Sequence, residues 1–360
     1  MKKFADNGAP AQKPRSRLLW SVLFVLIAAA TIWAVSSQAR AFSLDTFLSY
    51  IAGASKPWLT AAVLCVLGYI WLEGEAILTI SRAFGYSAGH RRGLVYSASD
   101  IYFSAITPSA TGGQPACAYF MMKDGIPGSV TTVVLLTNLT MYTITILVLG
   151  VLTALIKPEL FAPFSLLSRV LIVLGYFIQG FFAAFLLLLL TKSGLLHKIC
   201  GKGLSLLCRI RLLRHEEEKR RKLDNYIQEY RECARMIKEH KGAMVRAFVL
   251  NLLQRVLIIT VPLFVFLASG GAGARAADVW AVQCYTVIGA NAVPIPGAMG
   301  ISDYIMLDGF GRLMPYQEAV SFELLSRSVS FYICVVLCGI TALIAYLLQR
   351  KREANHDRLL

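Results

Sequence analysis

Hydrophobic positions in this chain come in long unbroken runs divided by polar gaps. The runs are Leu18 to Ser37, Trp58 to Ile80, Val130 to Ile156, Leu167 to Leu190, Val245 to Ala268 and Val320 to Leu348. Each reaches the about 20 mostly apolar residues that a lipid-spanning helix needs. Helix is the predicted state, because backbone polar groups in lipid must pair within their own segment. A cleaved signal peptide is the alternative for the first run, since Ala39-Arg40-Ala41 resembles a cleavage site. That run exceeds the usual apolar region of about 7 to 15 residues, which favours a retained helix.

Two further regions, Leu94 to Met122 and Ala281 to Pro315, are apolar but broken at their centres. The first contains Thr107-Pro108-Ser109-Ala110-Thr111-Gly112-Gly113-Gln114-Pro115, the second Pro294-Ile295-Pro296-Gly297-Ala298-Met299-Gly300-Ile301-Ser302-Asp303. A Pro-x-Ala-x-Gly string runs from Pro108 to Gly112 and again from Pro296 to Gly300. Proline removes a donor and clashes with the preceding turn, while glycine supplies conformations that other residues avoid. Thr111 is a candidate cap for a half-helix containing Pro115, and Ser302 for one beginning at Asp303. Helix starts favour an anion, and the abundant anion in a membrane is a lipid phosphate. A pair of ordinary proline kinks in full spans is the alternative.

The gaps give an orientation. Lys2, Lys3, Lys13, Arg15 and Arg17 precede the first run, Arg82, His90, Arg91 and Arg92 follow the second, and Arg350, Lys351 and Arg352 follow the last. The connections near Lys157 and Arg275 are poor in basic residues. By the positive-inside rule both termini are cytoplasmic, and the chain lies in the plasma (inner) membrane. Six full spans then place the first broken segment as entered from the cytoplasm and the second from outside. That is an inverted repeat, with 57–191 the first repeat, 192–243 a cytoplasmic basic linker helix, and 244–349 the second. Corresponding Gly/Pro-interrupted segments in oppositely oriented halves point to a transport site midway through the membrane. The expected fold class is all-α: a polytopic membrane protein of two inverted repeats with re-entrant helical hairpins, in one transmembrane domain over 1–360.

The linker is the one long polar stretch. Between Lys192 and Lys241 it carries fourteen Lys or Arg against seven Asp or Glu. Glu216, Glu217 and Glu218 stand four residues before Arg220, Arg221 and Lys222, the favourable order for helix-surface pairs. Leu223, Ile227, Tyr230, Ala234 and Ile237 form an apolar stripe, as in a helix lying on the membrane or against the bundle. A partner-binding coiled coil is the other reading.

Composition agrees with the runs. The chain is 56% hydrophobic and 16% charged, with a mean hydropathy of +0.60, where soluble domains average about 25% charged. The net charge of +15 sits in the gaps, which suits an anionic lipid surface, and no motif accompanies it that would suit nucleic acid. Eight scattered cysteines, with no C-x-x-C pair, read as packing residues, with no metal site and no cofactor implied.

Ionisable residues within or beside the apolar segments are Glu73, Glu75, Asp100, Arg255, Asp303, Asp308, Arg312, Glu323 and Arg327. Each costs about 2.5 to 3.5 kcal/mol at a helix centre, so each should face a partner or a cavity. Glu323 and Arg327, one turn apart, read as a structural ion pair. Arg255 and Asp303 read as a second pair, in which the arginine forks onto a phosphate and Asp303 holds it or meets a cationic headgroup. The candidate lipid-binding set is Thr111, Gly112, Gly113, Gln114, Arg255, Pro296, Gly297, Gly300, Ser302 and Asp303, with no catalytic residue.

At Pro108 to Pro115 and Pro296 to Asp303 the sequence resembles the membrane domain of the lysyl-phosphatidylglycerol synthase and flippase family, whose fused members include the multiple peptide resistance factor. The family strings are Pro-x-x-x-Gly-Gly-Glu-Pro-x-Arg and Pro-Gly-Gly-x-Gly-x-x-Glu. This chain departs from them with Gln114 for the usual glutamate, Cys117 for the common arginine and Asp303 for the common glutamate. The resemblance implies two inverted repeats with re-entrant hairpins and movement of a phospholipid, such as an aminoacyl-phosphatidylglycerol or another anionic or glycosylated lipid, between leaflets. Fused relatives carry a soluble aminoacyl-transferase domain, and a chain ending at Leu360 is not expected to hold one. A phosphatidylglycerol lysyltransferase-type enzyme and a scaffold for a separate lipid synthase remain alternatives, as does a homo-oligomer. There is no G-x-x-x-x-G-K-[ST] string, so transport is expected to be passive or ion-coupled.

Overall fold

The structure, a computed structural model, describes residues 51–107, 110–192, 194, 216–291 and 300–356. The run Leu18 to Ser37 lies outside them, as do Pro108, Pro296, Gly297 and most of 193–215. Eleven α-helices account for most of the described residues: α1 Lys56–Ala83, α2 His90–Ile106, α3 Gly113–Lys123, α4 Gly128–Ile156, α5 Leu166–Thr191, α6 Glu216–Glu239, α7 Lys241–Ala268, α8 Ala276–Ala290, α9 Ile301–Phe310, α10 Tyr316–Arg327 and α11 Cys334–His356. A π-helical turn, Ser328–Ile333, joins the last two. No strand occurs among the described residues.

Five segments are long and apolar enough to cross a membrane: α1, α4, α5, α7 and the composite Tyr316–Lys351. They coincide with the five runs expected from Trp58 onward. On α4, Thr137, Thr140, Thr143, Thr145 and Thr153 each donate to the carbonyl four residues back. Their hydroxyls are satisfied inside the helix, so a Thr-rich segment is tolerated in lipid. α5 turns Phe177, Phe181 and Leu188 outward, the side chains expected of a lipid-facing helix.

The two broken segments are hairpins. α2 and α3 have 17 and 11 residues, and α8 and α9 have 15 and 10, all short of the about 20 needed to cross. The far ends of α2 and α3 meet: Asp124, just after α3, takes a hydrogen bond from Tyr96 at 2.7 Å and an ion pair from Arg92 at 2.9 Å. The far ends of α8 and α9 meet likewise, where Arg275 donates to the Leu313 carbonyl at 2.5 Å. A kinked full span would hold these ends apart, so the kinked-span alternative fails.

α4 shows that the hairpins are inverted. It begins at Gly128, four residues after the clamp on Asp124, and ends at Ile156, where Lys157 pairs with Asp278 of α8 at 2.9 Å. Its 29 residues span about 44 Å at 1.5 Å per residue, so the two hairpin bases lie at opposite ends of it. α1 and α7 run antiparallel at the centre. Trp58 stacks on Phe264 at 5.7 Å, and Ser55 donates to the Ala268 carbonyl at 2.8 Å.

Glycines set the close crossings. A Cβ on Gly74 would lie 2.5 Å from the Gly93 carbonyl oxygen, and one on Gly175 would strike the Ile288 carbonyl. Each longer hairpin arm thus rests backbone to backbone on a spanning helix. The six cysteines among the described residues are buried and unpaired, as packing residues should be.

The amphipathic stripe on α6 meets the bundle. Ile227, Tyr230 and Ala234 are buried, Tyr230 packs in one cluster with Ile126, Val130 and Val134, and Ile237 lies against it. Tyr230 donates to the Leu189 carbonyl at 3.1 Å and Tyr226 to the Gly128 carbonyl at 2.8 Å. Truncating a fully buried aromatic costs about 3 to 5 kcal/mol. Tyr230→Ala should therefore release α6 and lower the thermal midpoint of the purified protein, with new proteolytic cleavage within Glu216–Glu239 as the local readout.

Candidate functional site

Two buried polar clusters lie where the hairpins face the spanning helices. The first is built on α1, α2, α3, α4 and α7. Gln254 donates to Asn251 at 2.9 Å, Asn251 to Asn138 at 2.9 Å, and Asn138 to Glu73 at 2.7 Å. Gln114 donates to Asp100 at 3.2 Å, and Ser104 to the same carboxylate at 3.5 Å. Arg255 lays its guanidinium over the Tyr142 ring at 3.7 Å, with Tyr69 at 5.5 Å. Such a cation on an aromatic face gains about 2 kcal/mol when desolvated. Tyr142 is the middle residue of α4, so the cluster sits midway between the two hairpin bases.

This ladder leaves polar atoms over. Glu73 Oε2, Gln254 Oε1 and Arg255 Nε are buried without a hydrogen-bond partner, although Glu73 is only 3% exposed and Arg255 7%. Unpaired polar atoms at that depth are costly, and native proteins keep few of them. Two acceptors and a donor are thus left over in a cluster that also holds two aromatic faces.

The second cluster is built on α9 and α10. Asp303 accepts from the Gly300 N–H at 2.9 Å and pairs with Arg327 Nε at 2.6 Å. Glu323 lies 3.7 Å from the same Nε. The π-helical turn starts directly after Arg327, and such turns recur at functional sites.

The profile of one family, the lysylphosphatidylglycerol synthase TM region, matches residues 18–339. The chain belongs to that family. A comparison with curated proteins finds no match.

In this lysylphosphatidylglycerol synthase TM-region protein the site expected from the sequence is partly rearranged. Asp303 pairs with Arg327, not with Arg255, so the Glu323–Arg327 ion pair is present with Asp303 as its third member. Arg255 belongs instead with Glu73 and Asp100, close enough for all three to feel one another's charge. Asn138, Tyr142, Asn251 and Gln254 were missed as site residues. The signal was available, since Asn251, Gln254 and Arg255 fall at i, i+3 and i+4 and so share one helix face. Glu75 pairs instead with Arg82 and His90 at the first hairpin's base. Asp308 binds Arg312 and the Ser165 N–H near the second.

Capping also differs from expectation. α3 starts at Gly113 with Gly112 as N-cap, and the Gly112 N–H is taken by Thr107 Oγ1 at 2.8 Å. α9 starts at Ile301, and its cap is the Asp303 carboxylate reaching back to Gly300, while Ser302 is buried with its hydroxyl toward Met306. Both helix starts thus already face a carboxylate of the chain, Asp100 or Asp303. Pro296 and Gly297 lie outside the described residues. A cleft of about 220 Å³ lined by Phe164, Val282, Gly309 and Arg312 lies beside the second hairpin's base and reaches neither cluster.

The glycines of the breaks are required for different reasons. A Cβ on Gly113 would strike Ser104 Oγ and the Asp100 carboxylate. A Cβ on Gly112 would lie 2.7 Å from Thr107 Cγ2, and neither residue has positive φ. Gly300 has φ 79° with open space around it, which costs about 1 to 2 kcal/mol for a residue with a Cβ. Gly113→Ala should therefore displace α3 and be the more damaging of the two, while Gly300→Ala should lower stability by only about 1 kcal/mol. Thermal unfolding in detergent ranks them, and the reverse order would mean that the first break tolerates a side chain.

Proposed function

We propose that the protein moves a phospholipid between leaflets, with the headgroup passing Arg255. The observation that carries this reading is a buried arginine on two tyrosine faces with Nε unpartnered, placed midway along α4 between two oppositely entered hairpins. Guanidinium keeps its charge in nearly any setting and forks onto phosphate. Glu73 Oε2 beside it offers an acceptor for an amine or a sugar hydroxyl. Family membership supports a lipid substrate, with an aminoacyl-phosphatidylglycerol or another anionic or glycosylated lipid as the class. Aminoacyl transfer and scaffolding for a separate synthase are the competing readings, and neither accounts for a buried arginine whose Nε has no hydrogen-bond partner.

Leaflet-resolved transport of acyl-labelled phosphatidylglycerol in reconstituted vesicles tests it. A charge-assisted hydrogen bond is worth about 1.5 to 3 kcal/mol, so Arg255→Ala should slow translocation about tenfold or more. Arg255→Lys should recover only part, because the fork is lost. Wild-type rates in a folded Arg255→Ala variant would make Arg255 a structural partner of Glu73 and Asp100.

The orientation belongs to the same proposal: both termini and α6 are cytoplasmic and the membrane is the plasma membrane, since the basic gaps fall on one side. A single cysteine placed near Arg275 should react only from outside. With Cys200 and Cys208 replaced by serine the background is low, because the six cysteines of the described residues are buried, and burial pushes the Cys233 thiol up to about 11. Labelling from the cytoplasmic side alone would reverse the topology.

A further inference from the structure

The second cluster has an imbalance of charge. Asp303 and Glu323 bring two carboxylates to one guanidinium, that of Arg327. Glu323 is 5% exposed and Arg327 8%, while Asp303, with its side chain 23% exposed, stands at the edge of the site. Both carboxylates approach one atom, Arg327 Nε, at 2.6 and 3.7 Å. Two ionised carboxylates have only acceptors to offer one another, and one proton between them would replace that repulsion with a hydrogen bond.

Three elements bring charged or titratable groups to the pair. α9 supplies Asp303, α10 supplies Glu323 and Arg327, and the π turn supplies Tyr332, which feels all three charges. α7 presents Phe266 to Phe322 at 6.2 Å, and α9 presents Phe310 to the same ring at 4.7 Å. Among the described residues, Arg327 is the only cation that reaches Glu323.

The first cluster has the same composition of two acids and one arginine, but there the carboxylates are kept apart. Asp100 is held by Gln114 and Ser104, and Glu73 by Asn138. The second cluster alone, among the described residues, sets acid against acid.

We propose that Asp303 and Glu323 bind one exchangeable proton between them, with Arg327 as the fixed counter-charge, and that its binding and release are linked to movement of the second hairpin. With the proton bound, the three side chains sum to zero formal charge. On release the O–H bond of the carboxylic acid breaks, the proton passes to water that reaches the site, and the site is left with one negative charge. A net charge beside side chains as buried as Glu323 and Arg327 is costly, so the deprotonated state favours whatever arrangement gives the site more water. Asp303 is also the cap of α9, through the Gly300 N–H, so this change acts at the break itself. Ionisable pairs within membrane helices serve as proton relays in pumps and transporters on the same physics, and the pair titrates as a unit. The link to transport rests on the lipid-translocation reading; the proton site does not.

Infrared spectroscopy of the purified full chain, compared in H2O and D2O, reads the site without any transport assay. Wild type at neutral pH should show a deuterium-sensitive carboxylic-acid C=O band that is absent in Glu323→Gln and in Asp303→Asn. Glu323→Asp should keep the band at a shifted frequency, which guards against loss through misfolding. If the wild-type band survives both amide variants, or no such band exists, the proton site is overturned. In vesicles of phosphatidylcholine and phosphatidylglycerol with acyl-labelled phosphatidylglycerol as probe, an imposed pH gradient should change the wild-type rate severalfold and leave that of Glu323→Gln unchanged. A wild-type rate indifferent to the gradient, with the band present, would overturn the coupling. Absence of all translocation would sink the function proposed above while the infrared result still decides the proton site.

Discussion

A helix that stops inside a membrane exposes N–H and C=O groups where no water can take them, and this chain stops helices there twice. Each such end must be satisfied by protein. At the first break Thr107 does so twice over, accepting from the Gly112 N–H at 2.8 Å and donating to the Phe103 carbonyl at 2.6 Å. At the second, Asp303 does it with a full charge. A carboxylate at a helix start in this setting is paired with a cation, Arg327 at 2.6 Å, and the π turn starts directly after Arg327. The backbone requirement thus brings ionised side chains into a place that would otherwise exclude them.

The same requirement explains the glycine crossings. A hairpin is held in the bundle only if its longer arm lies very close to a spanning helix, and Gly74 with Gly93 and Gly175 with Ile288 bring backbones together where any Cβ would intrude. Close backbone approach replaces the hydrophobic drive that is missing between helices in lipid.

The fold was largely legible in the sequence because lipid imposes a strong length rule. Five runs became five spans, and the two broken segments became hairpins whose inversion followed from the parity of crossings before any contact was known. The amphipathic stripe from Leu223 to Ile237 was legible too, for its spacing admits only one buried face. The site was less so. Spacing places Glu323 and Arg327 together because they share a turn, but nothing in a linear reading says whether Asp303 meets Arg255 or Arg327, since that choice is made by how α9 packs on α10. Capping was misread for a similar reason. Ser302 is a good cap by residue type, yet the chain turns so that Asp303 reaches the Gly300 N–H instead.

The departures from the family strings make physical sense as a set. Glutamate at position 114 and arginine at 117 would stand three residues apart on α3, a spacing at which opposite charges pair. Here both charges are absent, as Gln114 and Cys117, so the local sum is unchanged. Gln114 then donates to Asp100 at 3.2 Å, where a carboxylate would have repelled it, and Cys117 is fully buried in space that a guanidinium would have to share. With that arginine gone, Arg255 is left as the cation that reaches Asp100. It is shared with Glu73 and held off-centre by the Tyr142 ring. Laid over the Tyr142 ring and shared between two acids, Arg255 keeps its Nε without a hydrogen-bond partner.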